Sequence, residues 1–186
     1  MIELDVKHHF FPVGQGLFAY GELTAQNNPR PIPERRHISL GEEKSTRFRW
    51  VYDCGTHSGR ALLTRQIARL KVHVGAARLD LLTLSHLHND HVSGVVELLN
   101  EVKARTVMLP WAPLWHRLLI GFDQGLDGTD AAFQFYVDPV GYLAEAAPDR
   151  IGSTRSSSSC PLMERVHLRR QRYPPLSSRS GHLVSR

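Results

Sequence analysis

Alternating apolar and polar residues predict strands in the first third of the chain. The alternation at residues 2–10 is typical of a strand with one buried face, and residues 17–20 predict its hairpin partner. Gly14-Gln15-Gly16 supplies the turn between these two strands. Residues 48–53 form a third apolar run, after a polar, proline-containing stretch at 27–43. We therefore expect three strands, with an exposed insertion before the third.

Helical spacing of apolar residues begins after the third strand. Leu63, Ile67 and Leu70 recur at the spacing of one helix face, and Ser58 is placed to cap this helix. The remaining segments predict a buried strand at 79–84, a helix at 92–102, a strand at 106–109 and a helix at 131–147 interrupted by Pro139. Strands followed by strand–helix alternation predict a layered α/β or α+β domain.

Charge divides the chain into a body and a tail. Residues 1–150 carry a net charge of −1, whereas residues 151–186 carry +6 from seven arginines and one glutamate. The tail also contains nine serines and shows neither strand nor helix periodicity, which predicts disorder. It is interpreted as a disordered end, a basic nucleic-acid-binding arm or a frame-shifted reading frame. The neutral body gives no support to nucleic-acid binding.

Cysteine content and hydropathy bear on location. Cys54 and Cys160 are too few for a disulfide framework, so a reducing cytoplasm is expected. No apolar run approaches membrane-spanning length, and the N-terminus lacks the pattern of a secretory signal. Cys54 is expected to be a packed thiol, and Trp111 and Trp115 are expected in a core or interface stripe rather than a substrate groove.

Three histidines and an aspartate lie within six positions of one segment, residues 85–94. If the chain stays extended after the predicted strand, His86, His88 and Asp90 lie on one side. A turn at His91 would then let Asp90 and His91 face a second position. Neutral imidazoles and ionised carboxylates are ligands of divalent metals such as zinc. The segment therefore predicts a metal site.

This segment, His86-x-His88-x-Asp90-His91, resembles the signature of the metallo-β-lactamase fold superfamily. Further resemblance to the branch with the metallohydrolase domain of DNA-internalisation (competence) proteins comes from Val13-Gly14-Gln15-Gly16, Asp53-Cys54-Gly55-Thr56 and Leu81-Leu82-Thr83-Leu84-Ser85. The resemblance implies an αββα sandwich, of which residues 1–150 would form only the N-terminal portion.

The resemblance also implies roles for individual residues. His86 and His88 would bind one zinc and Asp90 and His91 a second, with manganese or iron as other possible metals. Asp90 would also act catalytically by handling the proton of a metal-bridged hydroxide, and Asp53 would support the loop. The implied reaction is hydrolysis of a phosphodiester or another ester.

The family pattern includes ligands beyond this segment, and the sequence offers few. The downstream histidines are His116, His167 and His182, and none stands in a strand context. We therefore expect the chain to be C-terminally truncated relative to the family. Two hypotheses follow: a metal-dependent hydrolase acting on a small molecule or phosphodiester, or an inactive remnant that binds metal weakly or serves as an interaction module. Such a portion of the fold would expose one sheet face, so self-association is also expected.

Overall fold

A computed structural model describes residues 2–27 and 46–152 of the chain. In that part the strands form a single five-stranded sheet in the order β1-β2-β3-β4-β5. The first three strands are antiparallel neighbours, and β3, β4 and β5 run parallel. The strands are β1 (Ile2–Phe10), β2 (Phe18–Asn27), β3 (Thr46–Cys54), β4 (Leu79–Thr83) and β5 (Ala104–Met108).

Helices connect the parallel strands and continue after the last one. The β3–β4 crossover contains α1, and the β4–β5 crossover contains α2 and α3. A 3₁₀ turn at Ala131–Phe133 leads into α5, and Pro139 begins α6 at a position where its missing N–H costs no helical hydrogen bond. The helices are α1 (Arg60–Val74), α2 (Asn89–Val92), α3 (Val95–Glu101), α4 (Leu114–Asp123), α5 (Gln134–Val137) and α6 (Pro139–Ala146).

The core lies between one face of the sheet and the helices. Tyr20, Val51 and Leu82 are register partners on adjacent strands, so their side chains share a face, and all three are buried. The predicted stripe of α1 packs in the same core, as do apolar residues of α3 and the later helices. Buried members include Leu63, Ile67, Leu70, Leu98, Leu99, Phe135 and Leu143.

The opposite face of the sheet carries exposed apolar side chains on β1, β3 and β5. The prediction of a half-buried first strand is wrong, because every residue of β1 is exposed. β1 is an edge strand, and no second sheet covers its apolar face within the described segments. The open face carries the exposed side chains of Ile2, Leu4, Val6, Phe10, Phe48, Tyr52 and Met108.

The α+β class is confirmed, and three local predictions are corrected. Ser58 does not cap α1, which starts after Gly59. The Ser58 hydroxyl instead accepts a hydrogen bond from the Gln15 N–H at 2.6 Å. Trp111 and Trp115 are exposed, which excludes the core stripe, whereas the interface stripe stays a prediction. The predicted helix at 92–102 is divided into α2 and α3 by Ser93 and Gly94.

Other sequence predictions concern parts of the chain without described structure. Most of the proposed insertion at 27–43, and all of the tail after residue 152, lie outside the described residues. The division at residue 150 therefore stays a prediction. No helix in the described ranges is both long and apolar enough to span a membrane.

Candidate metal centre

The motif loop, defined as residues 85–94, begins where β4 ends and lies beside the end of β3. Because β3 and β4 are parallel, their carboxyl ends meet at the same edge of the sheet. This edge is where ligands usually bind in sheets with parallel strands. Asp53 reaches it from β3, and Ser85 reaches it from β4. Asp53 is fully buried and has a positive φ of 57°, a strained conformation for a residue other than glycine.

The Asp53 carboxylate organises the motif loop through three hydrogen bonds. Its Oδ1 accepts from the Ser85 backbone N–H at 2.7 Å. Its Oδ2 accepts from the Ser85 hydroxyl at 2.6 Å and from His91 Nδ1 at 2.8 Å. The buried carboxylate is thereby fully partnered, as buried polar groups must be. The expectation that Asp53 supports the loop agrees with these contacts.

These contacts also determine which ring nitrogens are free. His91 donates its Nδ1 proton to Asp53, which leaves the lone pair on Nε2. The Ser85 hydroxyl donates its single hydrogen bond to Asp53, so its oxygen accepts a hydrogen bond from His86 Nδ1 at 2.9 Å. His86 Nε2 is then also unprotonated. Both rings present Nε2 as a possible metal ligand, and a hydrogen bond to Nδ1 holds each ring in place.

Three side chains converge on a position where one ion would fit. The ligand atoms of His86, Asp90 and His91 all lie within 4.8 Å of one another. His88 is adjacent, with its ring centre 5.1 Å from that of His86, and its buried Nδ1 has no hydrogen-bond partner. A buried nitrogen without a partner is costly unless something binds it. The donor set and this nitrogen therefore fit a divalent metal such as zinc.

Electrostatics keep His86 in the form that a metal requires. Burial lowers the pKa of His86, and the neighbouring His91 and His88 lower it further, while Asp53 and Asp90 oppose the shift. The imidazole is therefore neutral at lower pH than an exposed histidine would be. A neutral ring with an unprotonated Nε2 can bind a cation without first losing a proton.

The loop after β1 and the loop after β3, which both contain glycine, also contact the motif loop. A Cβ on Gly55 would lie 2.5 Å from the His91 backbone nitrogen, so only glycine permits this approach. The Leu17 N–H donates to the Asp90 carbonyl at 3.1 Å, and the Thr56 N–H donates to the Ser93 hydroxyl at 3.0 Å. These contacts explain why the two flanking motifs of the sequence accompany the histidine cluster.

One histidine near the site was not identified from the sequence. His57 Nε2 lies 3.8 Å from Asp90 Oδ1, although the two residues are 33 positions apart. Its only sequence signal is its position directly after the Asp53-Cys54-Gly55-Thr56 motif. The downstream candidate His116 lies exposed on α4 and belongs to no three-ligand group among the described residues. His167 and His182 are outside those residues.

A cavity of about 600 Å³ opens on the helical side of the motif loop. His57, Arg60 and Asn89 line it on one side, and aromatic residues of α5 and α6 line it on the other. Its size is within the range that small ligands occupy. His57 faces both this cavity and Asp90, so the cavity adjoins the three-ligand group through His57.

Comparisons with known proteins identify the family of the chain. The Anti-Pycsar protein Apyc1 of Saccharibacillus brassicae is 30% identical over 112 residues, which are 55% of this chain and 43% of that protein. The chain thus spans less than half of that relative. A long form RNase Z from yeast aligns with 78% of this chain and 17% of its own, at 15% identity and a TM-score of 0.35. The model of the metallo-beta-lactamase superfamily matches residues 45–145, more than half of the chain, and the protein therefore belongs to that superfamily.

Proposed function

We propose that the protein is a metal-dependent hydrolase that cleaves a phosphodiester or another ester. The observation that carries this proposal is the convergence of His86, Asp90 and His91 with two unprotonated Nε2 atoms. A divalent metal, when bound, lowers the pKa of water and stabilises developing negative charge. Zinc suits this donor set best, and manganese or iron are alternatives.

The side chains of the motif loop have distinct roles in this proposal. His86, His88, Asp90 and His91 hold the metal, and Asp53 orients His91 directly and His86 through the Ser85 hydroxyl. The Asp90 carboxylate accepts the proton of the attacking water. The cavity beside His57 accommodates the non-reacting part of a small substrate. We also propose that the protein acts in the cytoplasm.

Metal analysis after dialysis tests the ligand set. We expect wild-type protein to retain zinc at fewer than two ions per chain, because the loop offers four ligands where each catalytic zinc usually has about three. A His86→Ala/His88→Ala double variant should lose it. The matched control is His73→Ala, because His73 is an exposed histidine at the far end of α1. Equal zinc in wild type and the double variant would contradict the ligand assignment.

Hydrolysis of bis-p-nitrophenyl phosphate with added zinc or manganese tests the reaction. We expect slow, metal-dependent release of p-nitrophenol that Asp90→Ala abolishes and His73→Ala leaves unchanged. Turnover that persists in Asp90→Ala would assign the activity to another site or a contaminant. Retained zinc without turnover on any phosphodiester or carboxylic ester would support the second candidate function.

The second candidate is an interaction module without catalytic activity. The open apolar face of the sheet favours it, because a large exposed apolar patch usually marks a contact site. We propose that a second copy of the chain covers this face. The proposal does not exclude hydrolysis, since the face and the motif loop are different surfaces of the sheet.

A further inference from the structure

The cavity beside the motif loop has a single carboxylate among the described residues that line it. That carboxylate belongs to Glu97, in the first turn of α3. Apolar side chains of α1 and α3 line the same cavity, as do the aromatic rings of Phe135, Tyr136 and Tyr142. Small organic ligands usually bind in such cavities, where a few polar groups on a mostly apolar wall fix the orientation of the ligand.

One oxygen of the Glu97 carboxylate lacks a hydrogen-bond partner. Glu97 Oε2 is shielded from solvent, and it accepts no hydrogen bond within the described segments. Its one ion pair in those segments is with Arg60, whose Nη2 lies 3.5 Å away. The Arg60 side chain is 80% exposed and that of Glu97 is 20% exposed, so water screens the pair from the arginine side. A shielded carboxylate oxygen without a hydrogen bond is costly unless a ligand supplies the donor.

The chemistry of the wall selects one kind of ligand group. A carboxylate only accepts hydrogen bonds, so its partner must be a donor, and a positively charged donor makes the stronger bond. The faces of aromatic rings also attract cations, and three such rings line the cavity. An anionic group would be repelled by Glu97. A primary ammonium group meets all of these conditions, because it carries a positive charge and three N–H donors.

We propose that this cavity binds a primary ammonium group and that Glu97 recognises it. The inference rests on the proposed function, because the cavity is where the non-reacting part of the substrate would lie. It names the class of substrate: a phosphodiester or another ester whose non-reacting part carries an amine. Arg60 competes with the ammonium group for Glu97, and its exposed side chain turns toward solvent when the ligand binds.

Ligand-observed NMR titration with 2-phenylethylammonium tests the cavity directly. The buffer contains EDTA, so that no metal takes part, and 2-phenylethanol is the neutral probe of the same shape. We expect wild type to bind the cation at least about tenfold more tightly than the alcohol, because only the cation forms a charge-assisted hydrogen bond with Glu97. Glu97→Gln keeps the size of the side chain and should lower the affinity for the cation to that for the alcohol.

Two further variants show whether the effect belongs to the Glu97 carboxylate in this cavity. Glu101→Gln is the matched control, because Glu101 is exposed at the end of the same helix and does not line the cavity. It should bind both probes as wild type does. Arg60→Gln should bind the cation about two- to fivefold more tightly, because an exposed ion pair no longer competes for Glu97. A Glu97 that only held α1 against α3 would give no such gain. Circular dichroism checks that each variant is folded.

The outcomes separate this inference from the proposed function. Equal affinity of wild type for the two probes, or a preference for the cation that persists in Glu97→Gln, would overturn the inference and leave the hydrolase proposal intact. With metal added, the 3-aminopropyl ester of p-nitrophenyl phosphate should have a KM about tenfold below that of the butyl ester, and Glu97→Gln should remove this difference without changing kcat. Equal KM values in wild type would overturn the assignment of the ammonium group to the substrate. Selective cation binding without turnover of either ester would contradict the proposed function and leave the cavity as an ammonium-binding site.

Discussion

Asp53 acts on the metal ligands without being one of them. It accepts a hydrogen bond from His91 Nδ1 and another from the Ser85 hydroxyl, whose oxygen in turn accepts one from His86 Nδ1, so one carboxylate orients two rings. Outer partners of this kind commonly change metal affinity by about 10–100-fold when they are removed. The strained φ of Asp53 is consistent with a position that the surrounding contacts fix.

The Ser85 hydroxyl provides a direct test of this arrangement. We expect Ser85→Ala to weaken zinc binding about 10-fold, because His86 loses the acceptor that keeps its proton on Nδ1. Ser85→Thr retains a hydroxyl and should restore most of the affinity. Competition with a chelating indicator measures both variants. Identical affinity in wild type and Ser85→Ala would mean that the hydroxyl does not set the His86 tautomer.

The sequence was sufficient to locate the candidate metal ligands but not all of their neighbours. His86, His88, Asp90 and His91 lie within six positions, so the helical turn that begins at Asn89 is enough to bring them close together. His57 meets Asp90 only because the loop after β3 is held against the loop after β1. Such a contact depends on strand register and loop hydrogen bonds, which residue patterns do not encode locally.

At the scale of elements, the strands were predictable and the helix ends were not. Period-two alternation identified β1, because side chains of a strand alternate between faces whatever covers them. Burial of β1 could not be predicted from that pattern, since it depends on what packs against the sheet. The start of α1 was wrong because Ser58 has a competing partner, the Gln15 N–H, outside its own helix.

Contact between the loop after β3 and the motif loop can be tested at Gly55. We expect Gly55→Ala to lower the free energy of unfolding by about 1–3 kcal/mol, because its Cβ would overlap backbone that cannot rotate away. Zinc affinity should fall as well, since the same backbone carries His91. Gly128→Ala is the matched control, with nothing near its added methyl group. Denaturant unfolding and zinc titration measure the two effects. Wild-type stability and zinc affinity in Gly55→Ala would contradict the close approach of Gly55 to the His91 backbone.

For the whole molecule, the open sheet face presents seven large apolar side chains that are each at least 41% exposed. A standard protein interface takes about 800 Å² from each partner, and side chains of this number and size present a surface of that order. Two such faces can pack about 10 Å apart around a two-fold axis, as sheets do in sandwiches. These properties support the proposal that a second copy of the chain covers this face.

Sedimentation velocity over a range of protein concentrations tests this association. We expect the wild-type chain to be dimeric, and a Leu4→Glu/Val6→Glu variant to be monomeric, because each dimer would bury four new charges without partners. Val72→Glu is the matched control: Val72 is 84% exposed but lies on α1, away from the open face, so this variant should remain dimeric. A wild type that stays monomeric up to its solubility limit, or a double variant that still dimerises, would show that a second copy does not cover this face.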